Sequence, residues 1–585
     1  MVPSPHPNKP SRQPKPRRRA SVVVVGGGIS GLAAAWELVE NHVDPDQEPP
    51  LVYVLEATSK FGGKLVTVEF AGQAIDLGPD GFISQRSHAL DLCKEIGLED
   101  QLVPVGEAGA CIWARGRLRE VPRGLALGIP TRFWPVARSG VLGSRGTLRL
   151  LLDLIAPRPD IRGPLGDRAV GPLLAHKLGK QVVNTLVDPI IGGIYAGDVS
   201  EMSTAASAPL LLALAQTRGG FMKAIRQSLK RGAVLGPAIP RGDDDDSDYD
   251  SAKDGDGDGD GDGDLQALGL SNNVDDLGVD GTTLPEGQIA AELELEAQGV
   301  TEPDPQPTPA PWFWTLQNGM ASLADRLVDL LEKRGASLRP NAKVDLIDLH
   351  RSSTGEPWIV HTTDGPIPAD AIILAVPAAV AASLIQPHDS DATVLLRGIN
   401  SASVSVVTLS YPKESIQELP LGTGFLIPAK TRVQDALLTC SSDRSSSTNP
   451  SFLLTACTYL SKKWPHLAKE DEIILRASVG RYQDERHLRL NDSELIEQVS
   501  AELGVILGIT TPPNQALVTR WRDAFPQYRV HHLLRVAGIE SALERLPAVV
   551  VTGASYRGIG IPACIASGRA AGRQIRERLS ASQNP

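Results

Sequence analysis

Three glycines with the spacing Gly26-x-Gly28-x-x-Gly31 follow an apolar run, Val22–Val25, and precede a helical pattern. In such a loop the first glycine permits a tight turn and the second lets a pyrophosphate approach the backbone. The third lets helix and strand pack closely, and the helix N-terminus stabilises the anion. Glu56 follows the next predicted strand, where a carboxylate would accept hydrogen bonds from an adenosine ribose. The predicted dinucleotide contacts are Gly26, Gly27, Gly28, Ile29, Ser30, Gly31 and Glu56.

The elements that must position this loop can be predicted from hydropathy. The valine run, a helix through Leu32 and Leu38, and a second strand at 51–55 make a strand–helix–strand unit. A later amphipathic helix ends near Gly335. Its predicted apolar face comprises Met320, Leu323, Leu327 and Leu330. A strand at 549–551 precedes a glycine-rich turn and a last helix from about 563 to 579.

The net charge of −11 is unevenly distributed over the 585 residues. Residues 243–304 contain 21 acidic residues and one lysine, whereas residues 1–20 contain six basic residues and no acidic one. Such blocks of like charge are typical of solvated segments. Without these two blocks, the rest of the chain is nearly neutral. The acidic tract fails the EF-hand pattern because no Glu stands at position 12 of its Asp-Gly repeats. We predict a disordered basic tail, a disordered acidic insert and no metal site.

The five cysteines lie far apart in the sequence. This favours free thiols in a reducing compartment and indicates neither a disulfide framework nor a zinc site. No apolar run approaches the roughly 18–20 residues that span a bilayer, although an apolar patch at 120–215 leaves peripheral membrane contact open. We expect a cytoplasmic protein that has no transmembrane segment and binds no nucleic acid.

The residues after Glu56 indicate which dinucleotide is bound. Phe61-Gly62-Gly63-Lys64 is followed by Asp76-Leu77-Gly78-Pro79-Asp80-Gly81, and a segment at 553–562 leads into the last helix. This succession resembles the amine-oxidase-like flavoprotein superfamily, although Lys64 stands where Arg is usual. The resemblance implies FAD, with the N-terminus of the last helix aimed at the flavin pyrimidine edge. By resemblance, further FAD contacts fall on Ala57, Lys64, Gly78, Pro79, Asp80, Gly81, Val344, Trp521, Ile559, Gly560 and Ile561.

Several segments carry a narrower resemblance. The stretch Asp188-Pro-Ile-Ile-Gly-Gly-Ile-Tyr-Ala-Gly-Asp198 is the most specific, and residues 78–82 and 424–428 accompany it. They resemble the protoporphyrinogen/coproporphyrinogen oxidases of haem biosynthesis, closest to the soluble bacterial form. The resemblance implies FAD-dependent removal of six electrons from a porphyrinogen, with dioxygen reoxidising the flavin and coproporphyrinogen III as the favoured substrate. By resemblance, Gly192, Gly193, Ile194 and Tyr195 belong to the substrate pocket wall.

Arg86 lies where a guanidinium could meet a substrate propionate. A surface arginine is the competing interpretation for Arg86, and equally for Arg115 and Arg117. No catalytic side chain is predicted, because the flavin would carry the chemistry.

Four alternatives stay open. Protoporphyrinogen IX could be the main substrate, or another flavin oxidase or desaturase of this fold could act on an amine or a polyene. A flavin- or porphyrin-binding partner protein of the haem pathway would keep the fold without turnover. A nicotinamide-dependent reductase is disfavoured because no second glycine fingerprint follows a strand. Other haem-pathway enzymes are candidate partners.

We predict a Rossmann-like FAD-binding domain interleaved with a mixed-sheet and helical substrate domain, an α/β protein that is α+β overall. The predicted segments are the tail (1–20), the first FAD-binding part (21–110), a helical substrate part (111–240), the acidic insert (241–311), a second FAD-binding and substrate part (312–380), a further substrate part (381–515) and the third FAD-binding part (516–585).

Overall fold

A computed structural model of the chain describes residues 19–40, 49–106, 109–154, 166–215, 220–230, 311–349, 358–432 and 451–583. Nearly all of the predicted tail and acidic insert, together with Cys440, lie outside these residues. The other four cysteines are buried and unpaired. Among the described helices, none combines the length and apolar character that crossing a membrane requires.

The described strands are β1 Ser21–Val25, β2 Leu51–Leu55, β3 Thr67–Phe70, β4 Gln73–Asp76, β5 Phe82–Ile83, β6 Leu102–Pro104, β7 Cys111–Ala114, β8 Arg117–Glu120, β9 Leu125–Ala126, β10 Ile129–Pro130, β11 Phe313–Leu316, β12 Ser337–Arg339, β13 Val344–Leu349, β14 Trp358–Thr362, β15 Gly365–Ala369, β16 Ala371–Leu374, β17 Ser401–Pro412, β18 Gly424–Leu426, β19 Leu454–Tyr459, β20 Glu472–Val479, β21 Gln515–Pro526 and β22 Val549–Val551.

The described α-helices of four or more residues are α1 Ile29–Glu40, α2 His88–Glu95, α3 Phe133–Ser139, α4 Ser144–Leu151, α5 Val170–Leu178, α6 Thr204–Ser207, α7 Pro209–Ala215, α8 Phe221–Lys230, α9 Ala321–Lys333, α10 Ala378–Ile385, α11 Ser390–Arg397, α12 Leu460–Lys463, α13 Asp492–Leu507, α14 His532–Leu543 and α15 Ile561–Gln583. Short 3₁₀ turns lie at Glu99–Gln101, Leu152–Leu154, Lys413–Ser415, Pro465–Leu467 and Arg486–Arg489.

One further helical segment, residues 180–195, is irregular. Its centre, Val183–Gly192, is a π-helix with Pro189 inside it. Because proline lacks the N–H that a regular α-helix uses, its presence fits a widened turn at this point. We call residues 180–195 the π segment.

A five-stranded parallel sheet, in the order β12-β2-β1-β16-β22, forms the centre of the fold. Its middle strand is the valine run, as expected for a strand buried on both faces. Val22 and Val24 pack on one face in a core shared with α1, α9 and α15. Val23 and Val25 pack on the other face with β13–β15, α10, α11 and α14. This arrangement confirms the predicted α/β class.

A seven-stranded mixed sheet, in the order β21-β17-β20-β19-β18-β7-β8, packs against α13. Its pairs are antiparallel except β18 with β7. Its strands come from residues 111–120, 401–479 and 515–526, so distant parts of the chain meet in one sheet. A helical layer at 133–230, including the π segment, has its own apolar core. The predicted domain boundaries remain predictions.

Helices α9 and α15 were both predicted from the sequence, and their observed bounds and buried faces differ slightly from the prediction. In α9, Leu323 and Leu327 are buried as predicted, but Leu331 rather than Leu330 completes the fully buried face. Leu330 is only partly buried against the same core. The last helix, α15, begins at Ile561, slightly before the predicted start.

Candidate active site

A cavity of about 720 Å³ lies between the carboxyl ends of the parallel strands and one face of the seven-stranded sheet. Val25, Leu55, Ala375 and Thr552, at the ends of β1, β2, β16 and β22, contribute to its wall. Ligands of open α/β sheets bind at this edge because the loops that follow the strands converge there. The predicted residues that line the cavity are Gly26, Gly28, Ile29, Ser30, Glu56, Ala57, Lys64, Gly78, Pro79, Gly192, Gly193, Val344, Trp521, Ile559 and Ile561.

The glycine loop is held at both ends by backbone hydrogen bonds. The N–H of Gly26 donates to Leu55 O at 2.8 Å, and that of Gly62 donates to Gly27 O at 2.8 Å. A Cβ at Gly31 would collide with Gly26 O, so this position needs glycine. A Cβ at Gly28 would meet nothing closer than Gly63 Cα at 3.9 Å, which leaves open space in front of the loop.

Glu56 closes the loop from the end of β2. Its Oε2 accepts a 2.9 Å hydrogen bond from the N–H of Gly27. Its Oε1 accepts from the N–H and the hydroxyl of Thr58, both at 2.8 Å. The carboxylate is therefore fixed beside Ala57 and Val344 in the cavity wall.

Lys64 is a cation at the cavity beside the open N-terminus of α1. Burial lowers the pKa of its ammonium group, and Cys564 partly opposes this shift. Among the described residues, no carboxylate lies within ion-pair distance of Lys64. A half-buried ammonium without a protein anion, next to a helix N-terminus, favours a bound anion such as a diphosphate.

The segment Leu77–Gly81 forms part of the wall only at Gly78 and Pro79. Asp80 lies behind it, with Oδ1 2.8 Å from Lys463 Nζ and Oδ2 3.6 Å from Arg476 Nη1. Burial alone would raise the pKa of Asp80, but these two cations lower it well below its usual range. Asp80 thus supports the wall through its neighbours.

Neighbouring strands of the seven-stranded sheet form the opposite wall. Val406 on β17 is paired with Ser478 on β20, and Val404 on β17 is paired with Trp521 on β21. All four residues line the cavity. Arg476 also lines it, because it lies two residues before Ser478 on the same face of β20.

The turn 553–560 is held by a buried tyrosine. Tyr528 Oη donates to Ala554 O and accepts from the N–H of Gly558, both at 2.7 Å. Its ring stacks on His532 at 4.0 Å between centroids, and burial lowers the pKa of that imidazole to about 4. His532 is therefore neutral near pH 7 and acts as a packing partner.

The sequence matches the flavin containing amine oxidoreductases over residues 29–576. The chain belongs to that family. This flavoprotein is similar to the coproporphyrinogen III oxidase of Bacillus subtilis (strain 168), 28% identical over 552 residues that cover 94% of this chain and 96% of that protein. It is also similar to the enzyme of that name from Propionibacterium freudenreichii subsp. freudenreichii, 32% identical over 553 residues covering 94% and 89%. A solved structure from Exiguobacterium sp. 255-15, provisionally named a protoporphyrinogen oxidase, has a TM-score of 0.69 and 26% identity, and the match covers 96% of this chain and 99% of that one.

These findings make the chain an oxidoreductase with FAD as its cofactor. The described residues fit FAD, because the open space before Gly28, the unpaired Lys64 and the fixed carboxylate of Glu56 all line a single cavity. The turn 553–560 and the N-terminus of α15 lie at the same cavity. Within the described residues there is no cluster of side chains that could hold a metal ion.

Some predicted site residues of this flavoprotein lie outside the cavity wall. Gly81 packs behind it, since a Cβ there would meet Trp314 O at 2.6 Å. Arg86 does not reach the cavity. Arg115, in the turn after β7, and Arg117, the first residue of β8, are both exposed and lie outside the wall. The predicted residues absent from the wall are Gly27, Gly31, Asp80, Gly81, Arg86, Ile194, Tyr195 and Gly560.

Only part of the predicted substrate motif, residues 192–195, borders the cavity. Gly192 and Gly193 border the cavity, but Ile194 is 47% exposed to solvent. Tyr195 is buried against Tyr528, with 5.9 Å between ring centroids. Successive residues of a helical segment point in different directions, so only part of the motif meets the cavity.

Sequence reasoning missed several lining residues, chiefly on the seven-stranded sheet. Arg476 and Arg481 are the charged ones among them that lie on or after β20. Alternation of residues along β20 was a usable signal, since every second side chain of a strand shares a face. The sequence does not show which face meets the cavity, because that depends on the neighbouring strands. The other missed residues include Pro189, Ala342, Val376, Ser401, Ala524 and Phe525.

Proposed function

We propose that this flavoprotein oxidises a porphyrinogen to a porphyrin, with coproporphyrinogen III as the favoured substrate and dioxygen as the electron acceptor. The observation that carries the proposal is the near-full-length similarity to two coproporphyrinogen III oxidases. The cavity supports it, since the glycine loop, Trp521, and Gly192 and Gly193 of the π segment all line it.

The reaction removes six hydrogen atoms from the macrocycle, which amounts to six electrons and six protons. FAD, when bound, takes two electrons in each cycle and passes them to dioxygen, so three dioxygen molecules become three hydrogen peroxide molecules. The protein must hold a macrocycle of four linked pyrroles, largely apolar apart from its peripheral carboxylates, and keep water out. Val404, Val406 and Phe525 supply apolar wall for this task.

The side chains around the cavity are suited to binding rather than to proton transfer. Burial raises the pKa of the Cys564 thiol, so this wall residue is neutral near pH 7. Burial also raises the pKa of Tyr195 to about 12, behind the wall. Neither group would act as a base at neutral pH, in agreement with a reaction whose chemistry resides in the cofactor.

Protoporphyrinogen IX is the second candidate substrate, favoured by the name of the 26% identical Exiguobacterium structure. The two porphyrinogens differ at two peripheral groups, which are propionates in one and vinyl groups in the other. A side-by-side measurement of kcat/KM on both therefore decides between them.

The test uses the full-length protein with bound FAD and each porphyrinogen prepared by chemical reduction. We expect porphyrin fluorescence to grow in air faster than in an enzyme-free blank, with three hydrogen peroxide molecules per porphyrin. Fluorescence growth no faster than the blank, despite bound FAD, would contradict the proposal. Peroxide formation from an amine instead would indicate another oxidase of this family.

We also propose a cytoplasmic location, supported by the four described cysteines, which are all free thiols. Contact with other enzymes of the haem pathway is a further proposal. Binding of the purified flavoprotein to such an enzyme, measured by calorimetry, tests it.

A further inference from the structure

The end of β20 brings an arginine to the substrate end of the cavity. Arg476 and Ser478 alternate along β20 and face the cavity, and Gly480 and Arg481 extend this wall just after the strand. The next residue, Tyr482, donates its N–H to Ala196 O at 2.7 Å, which ties the loop to the π segment. Arg481 therefore lies against the π segment, near Asp188, and lines the same cavity as Gly192 and Gly193.

The guanidinium of Arg481 has unused hydrogen-bonding capacity. Its side chain is only 18% exposed, yet it donates no hydrogen bond to any described residue. The carboxylate nearest to it is Asp188, at 3.6 Å from Nη1, which is an ion pair without a hydrogen bond. A guanidinium has five N–H donors, and polar groups with so little exposure normally have partners.

The neighbouring carboxylates accept their hydrogen bonds from groups other than Arg481. Asp188 Oδ2 accepts a 3.3 Å hydrogen bond from the N–H of Ala429. Asp484 makes a two-pronged pair with Arg486, at 2.8 Å and 2.7 Å. The negative charges of Asp188 and Asp484 therefore stabilise the guanidinium of Arg481, whose N–H donors stay available to a ligand in the cavity.

Arg481 differs in this respect from the other arginine of the cavity wall, Arg476. Arg476 donates to the carbonyl oxygens of Gly78 and Leu77 and lies 3.6 Å from Asp80. Its role is to hold the wall, whereas Arg86, the predicted propionate ligand, does not border the cavity.

We propose that Arg481 binds a peripheral carboxylate of the substrate, and so positions the macrocycle in the cavity. The inference rests on the proposed function, because it takes the substrate to be a porphyrinogen that carries propionates. A guanidinium can hold a carboxylate through two parallel hydrogen bonds, which fixes orientation as well as position. Asp188 keeps the side chain in place from behind.

The experiment compares Arg481→Gln and Arg481→Lys with Arg489→Gln, an exposed arginine outside the cavity wall. The readouts are FAD content, KM and kcat for coproporphyrinogen III, and the Kd of coproporphyrin III in the dark under nitrogen. For Arg481→Gln we expect KM and Kd to rise roughly ten- to hundred-fold, with kcat changed much less. Arg481→Lys should recover part of the affinity, and Arg489→Gln should match the parent protein.

A tetramethyl ester of coproporphyrinogen III gives an independent check, because it lacks the carboxylate charges. The parent protein and Arg481→Gln should handle the ester with the same KM. An unchanged Kd for coproporphyrin III in Arg481→Gln, or a loss that is equal for acid and ester, overturns the inference. If the parent protein oxidises no porphyrinogen at all, the proposed function fails, which is a distinguishable result.

Discussion

The indole Nε1 of Trp521 donates a 3.0 Å hydrogen bond to the carbonyl oxygen of Leu77. Trp521 lies on β21 of the seven-stranded sheet, and Leu77 begins the segment that lines the cavity at Gly78 and Pro79. Arg476 on β20 makes a second link, to Gly78 O. The two walls of the cavity are therefore joined directly, and a change on one sheet is expected to affect FAD on the other.

Trp521→Phe tests this link. The substitution keeps an aromatic wall but removes the indole N–H, so Leu77 O keeps only its 3.3 Å hydrogen bond from Arg476 Nη2. We expect the Kd for FAD to rise about 2- to 10-fold, as for the loss of one hydrogen bond. Fluorescence titration of the apoprotein with FAD measures it. Trp312→Phe, at a residue 64% exposed, is the control, and an equal effect in both variants would contradict the link.

Gly31→Ala tests the close approach of α1 to the glycine loop. The new Cβ would collide with Gly26 O, and backbone cannot move aside as a flexible side chain can. We expect a loss of about 1–3 kcal/mol or more in the free energy of unfolding, together with loss of bound FAD. Absorbance of bound flavin and urea denaturation measure the two effects. Gly538→Ala in α14, which would meet only Leu395 Cδ1 at 3.0 Å, should keep its FAD.

Tyr528→Phe tests the support of the turn 553–560. Its hydroxyl serves both Ala554 O and the N–H of Gly558, and its removal leaves two backbone groups without their partner. We expect a loss of about 1–3 kcal/mol in the free energy of unfolding and faster release of FAD. Chemical denaturation and flavin dissociation measure these effects. Tyr53→Phe is the comparison, and equal stability of both variants would refute this role for the hydroxyl.

Asp76 gives a prediction for pH. Burial raises its pKa to about 6, against the hydrogen bonds it accepts from Thr67 Oγ1 at 2.6 Å and Met320 N–H at 2.9 Å. Between pH 3.8 and about 6 the native state holds this proton more tightly than the unfolded chain, so the contribution of Asp76 to stability falls as pH rises. The fall amounts to about 3 kcal/mol across that window.

Asp76→Asn keeps an oxygen acceptor and cannot ionise. Its stability relative to the parent protein should therefore increase from pH 4 to about pH 7, as measured by urea denaturation at each pH. Asp80→Asn is the contrast, because its cations hold the pKa of Asp80 low and the carboxylate is already ionised across this range. Asp80→Asn should destabilise the protein throughout. A constant difference between parent and Asp76→Asn would contradict the prediction.

The local part of the site could be predicted from the sequence. Gly26, Gly28 and Glu56 belong to one strand–helix–strand unit, whose hydrogen bonds and close contacts join residues near one another in the chain. The same holds for the class of fold, because a strand buried on both faces needs the unbroken valine run of β1. Their chemistry and spacing therefore predicted a dinucleotide-binding loop, whereas FAD and the family were implied by the resemblance that residues 61–81 and 188–198 carry.

Only the tertiary structure decided which distant residues line the cavity together. Arg481 comes to Asp188 of the π segment because β20 lies next to β17 in a sheet assembled from distant segments, and no local spacing records that order. Asp80 directly follows the wall residues Gly78 and Pro79, and Arg86 comes six residues later, yet both lie outside the cavity wall. The physical reason is that a strand–loop–helix unit is specified by steric fit and hydrogen bonding between near neighbours, whereas the direction of each wall residue depends on which distant strands pair.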